Sequence, residues 1–357
     1  MKLFRQKSGK VFEDGFSTID PGWDFSPVAS VNNTERSGYL RLNHNANGLT
    51  LALRLLETDD CFIEAQIDYT PVADDDMGGI VVWNSSANRV ELLEKYDSEV
   101  SGSYTYLRAI KYDNNIWKLY SLKDNVWEFI DSISLTASMV GIILKGVSSP
   151  TFVPLDVNNF VICNGDKLQV SNILPDYSVK LYDGSSTLIE TKTVIEDTTG
   201  VEFNLPTVPY NGKIEVYDDS DTLLDSVSTN FYAGDIYQLG TFLQILKDDV
   251  ELSLVDFTNL GTMYNGFLEI QLTVKNPSLT ITATNIIISV IQYDSKFGFQ
   301  WVDIANDLDG VPHTYGDLIS ISSIGPEETV PMWLRITQGQ NYEDMQPLYF
   351  VLNVNND

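Results

Sequence analysis

Between Cys61 and Tyr69 the chain alternates strictly. Ile63, Ala65, Ile67 and Tyr69 share one parity, and Phe62, Glu64, Gln66 and Asp68 share the other. Successive side chains of a strand point to opposite faces, so such a run reads as a half-buried strand. Similar short runs recur at 79–83, 90–93, 104–112, 116–122 and 127–130. Between them stand Asp113-Asn114-Asn115 and Lys123-Asp124-Asn125, and further on Asp183-Gly184 and Asn211-Gly212. These residues tolerate the left-handed backbone of tight turns. No window sustains a long, capped amphipathic helix, so the expected class is all-β, built from sandwiches.

At 357 residues the chain is too long for one ordinary domain. Three units are expected: 1–165, 166–234 and 235–357. The second carries an internal echo. Lys180-Leu-Tyr-Asp-Gly-Ser-Ser-Thr-Leu-Ile-Glu-Thr runs position by position with Glu215-Val-Tyr-Asp-Asp-Ser-Asp-Thr-Leu-Leu-Asp-Ser. Each copy reads as a hairpin, and two hairpins facing each other would make a small sandwich. The junctions at Asn164-Gly165-Asp166 and Ala233-Gly234-Asp235 are short, which predicts a semi-rigid rod.

Charge removes whole classes of partner. Lys plus Arg number 22 against 50 Asp plus Glu, a formal net charge of -28, and each expected unit is acidic. Nucleic acid and anionic membranes are captured by basic surfaces, so neither is expected as a partner. The 43% hydrophobic content supplies ample core and no disorder signature. The N-terminal Lys and Arg residues precede no apolar run, so no signal peptide is expected. No stretch reads as a membrane span. Cys61 and Cys163 cannot supply a disulfide framework for this length and read as structural thiols.

Phe12-Glu-Asp-Gly-Phe16 followed by Asp20-Pro-Gly-Trp23 resembles the opening of a concanavalin A-like lectin/glucanase jelly roll, in particular the non-catalytic one at the C-terminus of β-xylosidases. Gly38-Tyr-Leu-Arg-Leu42, Phe62-Ile-Glu-Ala-Gln-Ile67 and Gly78-Gly-Ile-Val-Val-Trp83 continue the resemblance in order. Trp117-Lys-Leu-Tyr-Ser121, Trp127 and Val157-Asn-Asn-Phe-Val161 complete it across nearly all of 1–165. The resemblance implies two curved antiparallel sheets, with carbohydrate often held on the concave face. Val274–Asn285, Trp301–Asn306 and Trp333–Ile336 resemble an immunoglobulin-like accessory domain of bacteriophage tail and virion proteins. The expected architecture is therefore an N-terminal concanavalin A-like jelly roll plus two immunoglobulin-like β-sandwich domains.

The glucanase relatives carry a Glu-x-Asp-x-Glu strand, which sets two carboxylates on one face for acid and nucleophile roles. That pattern is absent, and Glu91 and Glu94 fall on opposite faces of a strand. His44 and His313 lie in different units, which disfavours a Ser-His-Asp site. For sugar, Tyr104, Tyr106 and Arg108 share one face of their strand, and Glu64 and Gln66 share another polar face. With Trp83 these six residues are the candidate carbohydrate groove. Each aromatic alone reads more simply as packing at a sandwich rim. Asp303, Asp307 and Asp309 partly resemble a calcium loop, without its terminal Glu. Asp74-Asp75-Asp76 is a second acidic cluster. In so acidic a chain the solvated-loop reading wins for both, and calcium is the only cofactor considered.

The expectation from these readings is a non-enzymatic bacteriophage virion protein of tail, baseplate, fibre or capsid surface, made in the host cytoplasm. Its partners would be other virion proteins, further copies of itself and a host surface glycan. A carbohydrate-binding adhesin or accessory module is the alternative, and a glycoside hydrolase comes last.

Overall fold

The computed structural model describes residues 1–58, 60–96, 106–112, 115–195, 198–253, 258–263, 266–292, 301–337 and 349–356. The protein is all-β, arranged as face-to-face sheets. Among the described residues no helix is long and apolar enough to cross a membrane.

The first sandwich pairs a large sheet with a small one. The large sheet has eight strands; its path runs Val126–Ser134, Ile116–Lys123, Tyr106–Tyr112, Phe62–Asp68, Leu155–Cys163, Leu40–Leu42 and Val31–Asn32. Lys10–Asp14 also pairs with Leu155–Cys163. The small sheet has five strands, in the order Asp24–Ser26, Leu49–Leu55, Met139–Lys145, Met77–Ser85 and Asn88–Lys95. The alternation at 61–69 sends Ile63, Ala65, Ile67 and Tyr69 inward, where they join a core with Ala52, Ile80, Val82, Val140 and Ile142. Trp23 is packed among Phe12, Phe16 and Phe160 and donates its Nε1–H to Asp14 at 2.9 Å.

Asp76 is fully buried, which corrects the solvated-loop expectation for that residue. It accepts from the Tyr69 hydroxyl, from the Val72 N–H at 3.0 Å and from His44 Nε2 at 2.8 Å. His44 Nδ1 faces the Gly146 carbonyl at 3.0 Å. His44 thus bridges Asp76 and the Gly146 carbonyl through its two ring nitrogens.

The second sandwich corrects the hairpin arrangement. Its two similar hairpins do not face each other. They lie edge to edge in one four-stranded sheet, ordered Leu188–Thr193, Ser178–Asp183, Tyr210–Tyr217 and Leu223–Phe231. The inner strands pair directly, with Lys180 opposite Glu215. The echo is nonetheless physical. Asp183 Oδ1 accepts from Ser185 and Thr187 N–H, and Asp218 Oδ1 from Ser220 and Thr222 N–H. Ser186 and Asp221, at equivalent positions, both have positive φ. The facing sheet is assembled from distant pieces: Leu3–Lys7, Ile236–Leu239, Leu168–Ser171 and Gly200–Phe203. It therefore draws strands from beyond both expected boundaries, 165/166 and 234/235.

The two expected junctions meet each other. A Cβ on Gly165 would overlap Gly234, and one on Gly9 would overlap the Ala233 carbonyl. Asp235, fully buried, accepts the Gly9 N–H at 2.7 Å and the Tyr232 N–H at 2.9 Å. Burial pushes its carboxyl up, while those two N–H groups pull it back in part. Glycines stand here because three backbones cross in contact.

The third sandwich sets a six-stranded sheet, Val250–Glu251, Gln244–Lys247, Phe267–Lys275, Thr329–Thr337, Val302–Leu308 and Val311–Pro312, against Leu318–Ile324, Ala283–Gln292 and Phe350–Asn355. Trp301, Ile304, Met332, Leu334, Ile286 and Ile288 fill its core. It is tied to the second unit through Asn172, whose Nδ2 donates to the Leu239 carbonyl and, at 3.0 Å, to the Val354 carbonyl.

Candidate functional site

Four of the six residues expected to line a sugar groove do share one face. Arg108 stands opposite Glu64 and Tyr106 opposite Gln66 on the outer side of the large sheet. That face, however, is covered. Glu64 is 1% exposed and Arg108 8%. Arg108 Nε and Nη2 donate to Glu64 Oε2 at 2.9 and 2.5 Å. Nη2 also reaches the Leu205 and Pro206 carbonyls of the second unit, and Glu64 Oε1 accepts the Val208 N–H at 2.8 Å. The guanidinium lies 3.8 Å over the Trp127 ring, whose Nε1–H donates to the Pro206 carbonyl. Phe62, Ile110 and Val161 of the same face belong to the second unit's core.

Burial pushes the Glu64 carboxyl up, with the Arg108 charge and the Val208 N–H pulling against it. Burial likewise raises Tyr106, helped by Glu64. Gln66 accepts from Asn158 Nδ2 at 3.1 Å. Tyr104 lies outside the described residues. These side chains join two units, and the groove expected on them is corrected accordingly. Trp83, the sixth candidate, is on the other sheet.

The calcium-loop candidates do not converge either. Asp303 stands opposite Arg335 in its sheet, and burial raises its carboxyl against the pull of that cation. Asp307 is held below the usual carboxylate range by the Gly310 N–H and the Trp333 Nε1–H, at 2.9 and 2.7 Å. Asp309 occupies the following turn at φ 53°. Among the described residues no three His, Cys, Asp or Glu side chains form a metal-holding group.

The outer face of the small sheet is different. Its central strands are apolar on both parities: Ala52, Ile80, Val82 and Ile142 point into the core, while Leu51, Leu53, Val81 and Ile143 point away from it. Pairing places Leu53, Gly141, Val81 and Glu91 in one row across the strands, and Leu51, Ile143, Gly79 and Leu93 in the next. Each row is interrupted by a glycine. Neither glycine takes a side chain without the paired strand shifting, since a Cβ on Gly141 would overlap the Ala52 carbonyl oxygen and one on Gly79 the Leu92 carbonyl oxygen. Leu51, Leu53, Val81 and Ile143 are themselves buried, 7% exposed or less, and half-buried Trp83, Met139, Leu49 and Leu93 pack against them; this apolar band with its margins is the trough of the face.

One margin of the trough is charged. Glu91 Oε1 accepts from Arg89 Nε at 2.6 Å, and Oε2 from Lys145 Nζ at 2.9 Å. Arg89 is also anchored on the Ser86 carbonyl and lies 5.4 Å from the Trp83 ring centroid. Burial alone would raise Glu91, but the hydrogen bonds and charges of Arg89 and Lys145 outweigh it and hold the carboxyl low. The face thus offers an indole, an apolar floor and a fixed ionised carboxylate between two cations. Glu91 is an acceptor here, since an ionised carboxylate has no proton to give.

Of this face, sequence reasoning kept only Trp83 as a site residue and weighed Glu91 only to set it aside as a catalytic carboxylate. The available signal was the double-parity apolarity of 49–55, 79–83 and 139–144, more apolar surface than one core needs.

No protein-family model matches the sequence, and no curated protein sequence is similar to it. Among solved structures the chain is similar to the GH43 protein BlXynB of Bacillus licheniformis, at 18% identity and a TM-score of 0.37, over 43% of this chain and 39% of that one. It is similar to a xylan β-1,4-xylosidase of Bacillus halodurans at 18% identity and a TM-score of 0.36, over 45% and 40%. The receptor-binding domain of botulinum neurotoxin type G is similar over 94% of both chains, at 9% identity and a TM-score of 0.25. The aligned part spans about two fifths of the two Bacillus proteins' length. Glycoside hydrolases and receptor-binding domains stand where virion proteins were expected. That finding corrects the expectation of a non-enzymatic virion structural protein. At these scores the likenesses transfer no activity, so function rests on the trough itself.

Proposed function

We propose that this protein acts on carbohydrate, and that the trough on the small sheet is where a glycan chain lies. In this reading the first sandwich is a concanavalin A-like jelly roll, and the other two units are immunoglobulin-like supports. The carrying observation is half-buried Trp83 on an apolar band beside the Arg89–Glu91–Lys145 triad. A pyranose presents C–H faces to an indole and hydroxyls at its rim. Trp83 suits the first, and the fixed charges suit the second. The support on the large sheet favours this reading, because the second unit covers that sheet and leaves the trough on the other side.

Calorimetric titration tests it, using oligosaccharides of xylan and xyloglucan, the glycans named for matched structures, together with bacterial wall and capsule fragments. Binding to at least one member is expected, and Trp83→Ala should weaken it by about tenfold or more, the scale of one lost aromatic contact. Absence of binding across the panel, or full binding by a folded Trp83→Ala protein, defeats the proposal. The same mixtures are followed for released reducing ends. Turnover abolished by Glu91→Gln would assign hydrolysis to this face.

A further inference from the structure

Resting on the carbohydrate reading of the trough, we propose that its preferred ligand is an acidic glycan, whose uronate carboxylates are taken by Arg89 and Lys145. The charge distribution carries the argument. On a chain with net charge -28, the outer face of the small sheet is a local exception. Arg89 and Lys95 share its parity on the strand Asn88–Lys95, and Lys145 shares it on Met139–Lys145. Against these stands Glu91; Asp24, the other carboxylate in the described rows, sits on the strand at the far edge.

Arg89 and Lys145 are held on the two oxygens of one carboxylate, so the triad is positive and its cations are close together. Both stay open to water, with side chains 22% and 29% exposed. Their donors are not exhausted. Arg89 uses Nε on Glu91 and Nη1 on Ser86, and Nη2 has no acceptor among the described residues. The Lys145 ammonium gives only one of its protons to Glu91. A planar guanidinium with an unused edge is the group best shaped for a carboxylate. The guanidinium carbon lies over the Trp83 ring, 5.4 Å from its centroid, so a carboxylate taken on that edge would lie beside the indole.

The charge of the remainder of the molecule does not cancel this. At physiological ionic strength the screening length is about 8 Å, so exposed charges farther than that from the trough are largely screened, while contacts within it are not.

The experiment compares uronate-bearing oligosaccharides, oligogalacturonates and glucuronate-substituted xylo-oligosaccharides, with the same molecules after reduction of their carboxyls to hydroxymethyl groups. Titration at about 0.15 M salt should show the acidic form binding at least about tenfold tighter, the scale of one charge-assisted hydrogen bond. Arg89→Gln should abolish the preference for the acidic form over the reduced one. Lys145→Gln, which leaves the Arg89–Glu91 pair in place, should reduce the preference in part. Equal or tighter binding of the reduced form overturns the inference and leaves the carbohydrate reading standing. Binding of neither form, with no binding across the wider panel, overturns both.

Discussion

The first sandwich has two outer faces, and their fates are opposite. On the large sheet the outer face carries Glu64 and Arg108, the residue types that a sugar site uses, and it is sealed beneath the second unit. On the small sheet it carries Leu51, Leu53, Val81 and Ile143, the residue types that a core uses, and it lies on the side away from that unit. Alternation reveals which residues share a face. It does not reveal which face meets water, because a neighbouring unit can supply partners for a buried charge. Val208 N–H and the Leu205 and Pro206 carbonyls are such partners, and they lie about a hundred residues or more from Glu64 and Arg108 in sequence.

Arg108→Ala is the strongest way to break this comparison. It strands Glu64, fully buried, with the Val208 N–H as its remaining donor, and takes the guanidinium from the Leu205 and Pro206 carbonyls, of which Pro206 keeps the Trp127 Nε1–H. Removing one partner of a buried pair costs about 3–5 kcal/mol. Chemical denaturation should show a loss of that size, while any folded fraction retains the glycan affinity of the parent. Loss of affinity with little loss of stability would return the binding site to the large sheet.

The strands, turns and repeated hairpin were legible because each is written locally. The alternation at 61–69 became the inward row Ile63, Ala65 and Ile67, and the Asp183 and Asp218 turns repeat hydrogen bond for hydrogen bond. The sheet joining Leu3–Lys7 to Ile236–Leu239 was not legible, since no local pattern announces a partner more than two hundred residues away. Nor was the crossing of Gly9, Gly165 and Gly234, where each glycine reads alone as an ordinary linker. The candidate site was half legible. Trp83 and the double-parity strands were in the sequence, but which of the two outer faces the second unit covers followed only from where that unit docked.

A middle-sized effect probes the trough floor. Gly141→Ala adds a single methyl group, yet that group meets the Ala52 carbonyl of the paired strand. The strands Leu49–Leu55 and Met139–Lys145 must shift to admit it, which should cost about 1–3 kcal/mol, as overpacking does. Thermal denaturation should register the loss. Glycan affinity should fall with it, because the two strands that must shift carry Leu51, Leu53 and Ile143 of the trough. A Gly141→Ala protein of unchanged stability would mean that the floor is softer than its geometry.

The smallest effect separates the two faces by sign. Glu91 has its carboxyl lowered in the folded state, below 4.5, because Arg89 and Lys145 outweigh its burial. Its contribution to stability is therefore present above about pH 4.5 and is lost as pH falls through the folded value. Glu64 has its carboxyl raised, because burial outweighs Arg108. Its contribution is complete below about pH 4.5 and is lost as pH rises through its folded value. Stability measured against pH for Glu91→Gln and Glu64→Gln should thus diverge from the parent in opposite directions. For Glu91 the span should be on the order of 0.5–1 kcal/mol, since its triad is open to water. If both variants deviate in the same direction, the two carboxylates share one kind of environment and the contrast between a sealed face and an open one fails.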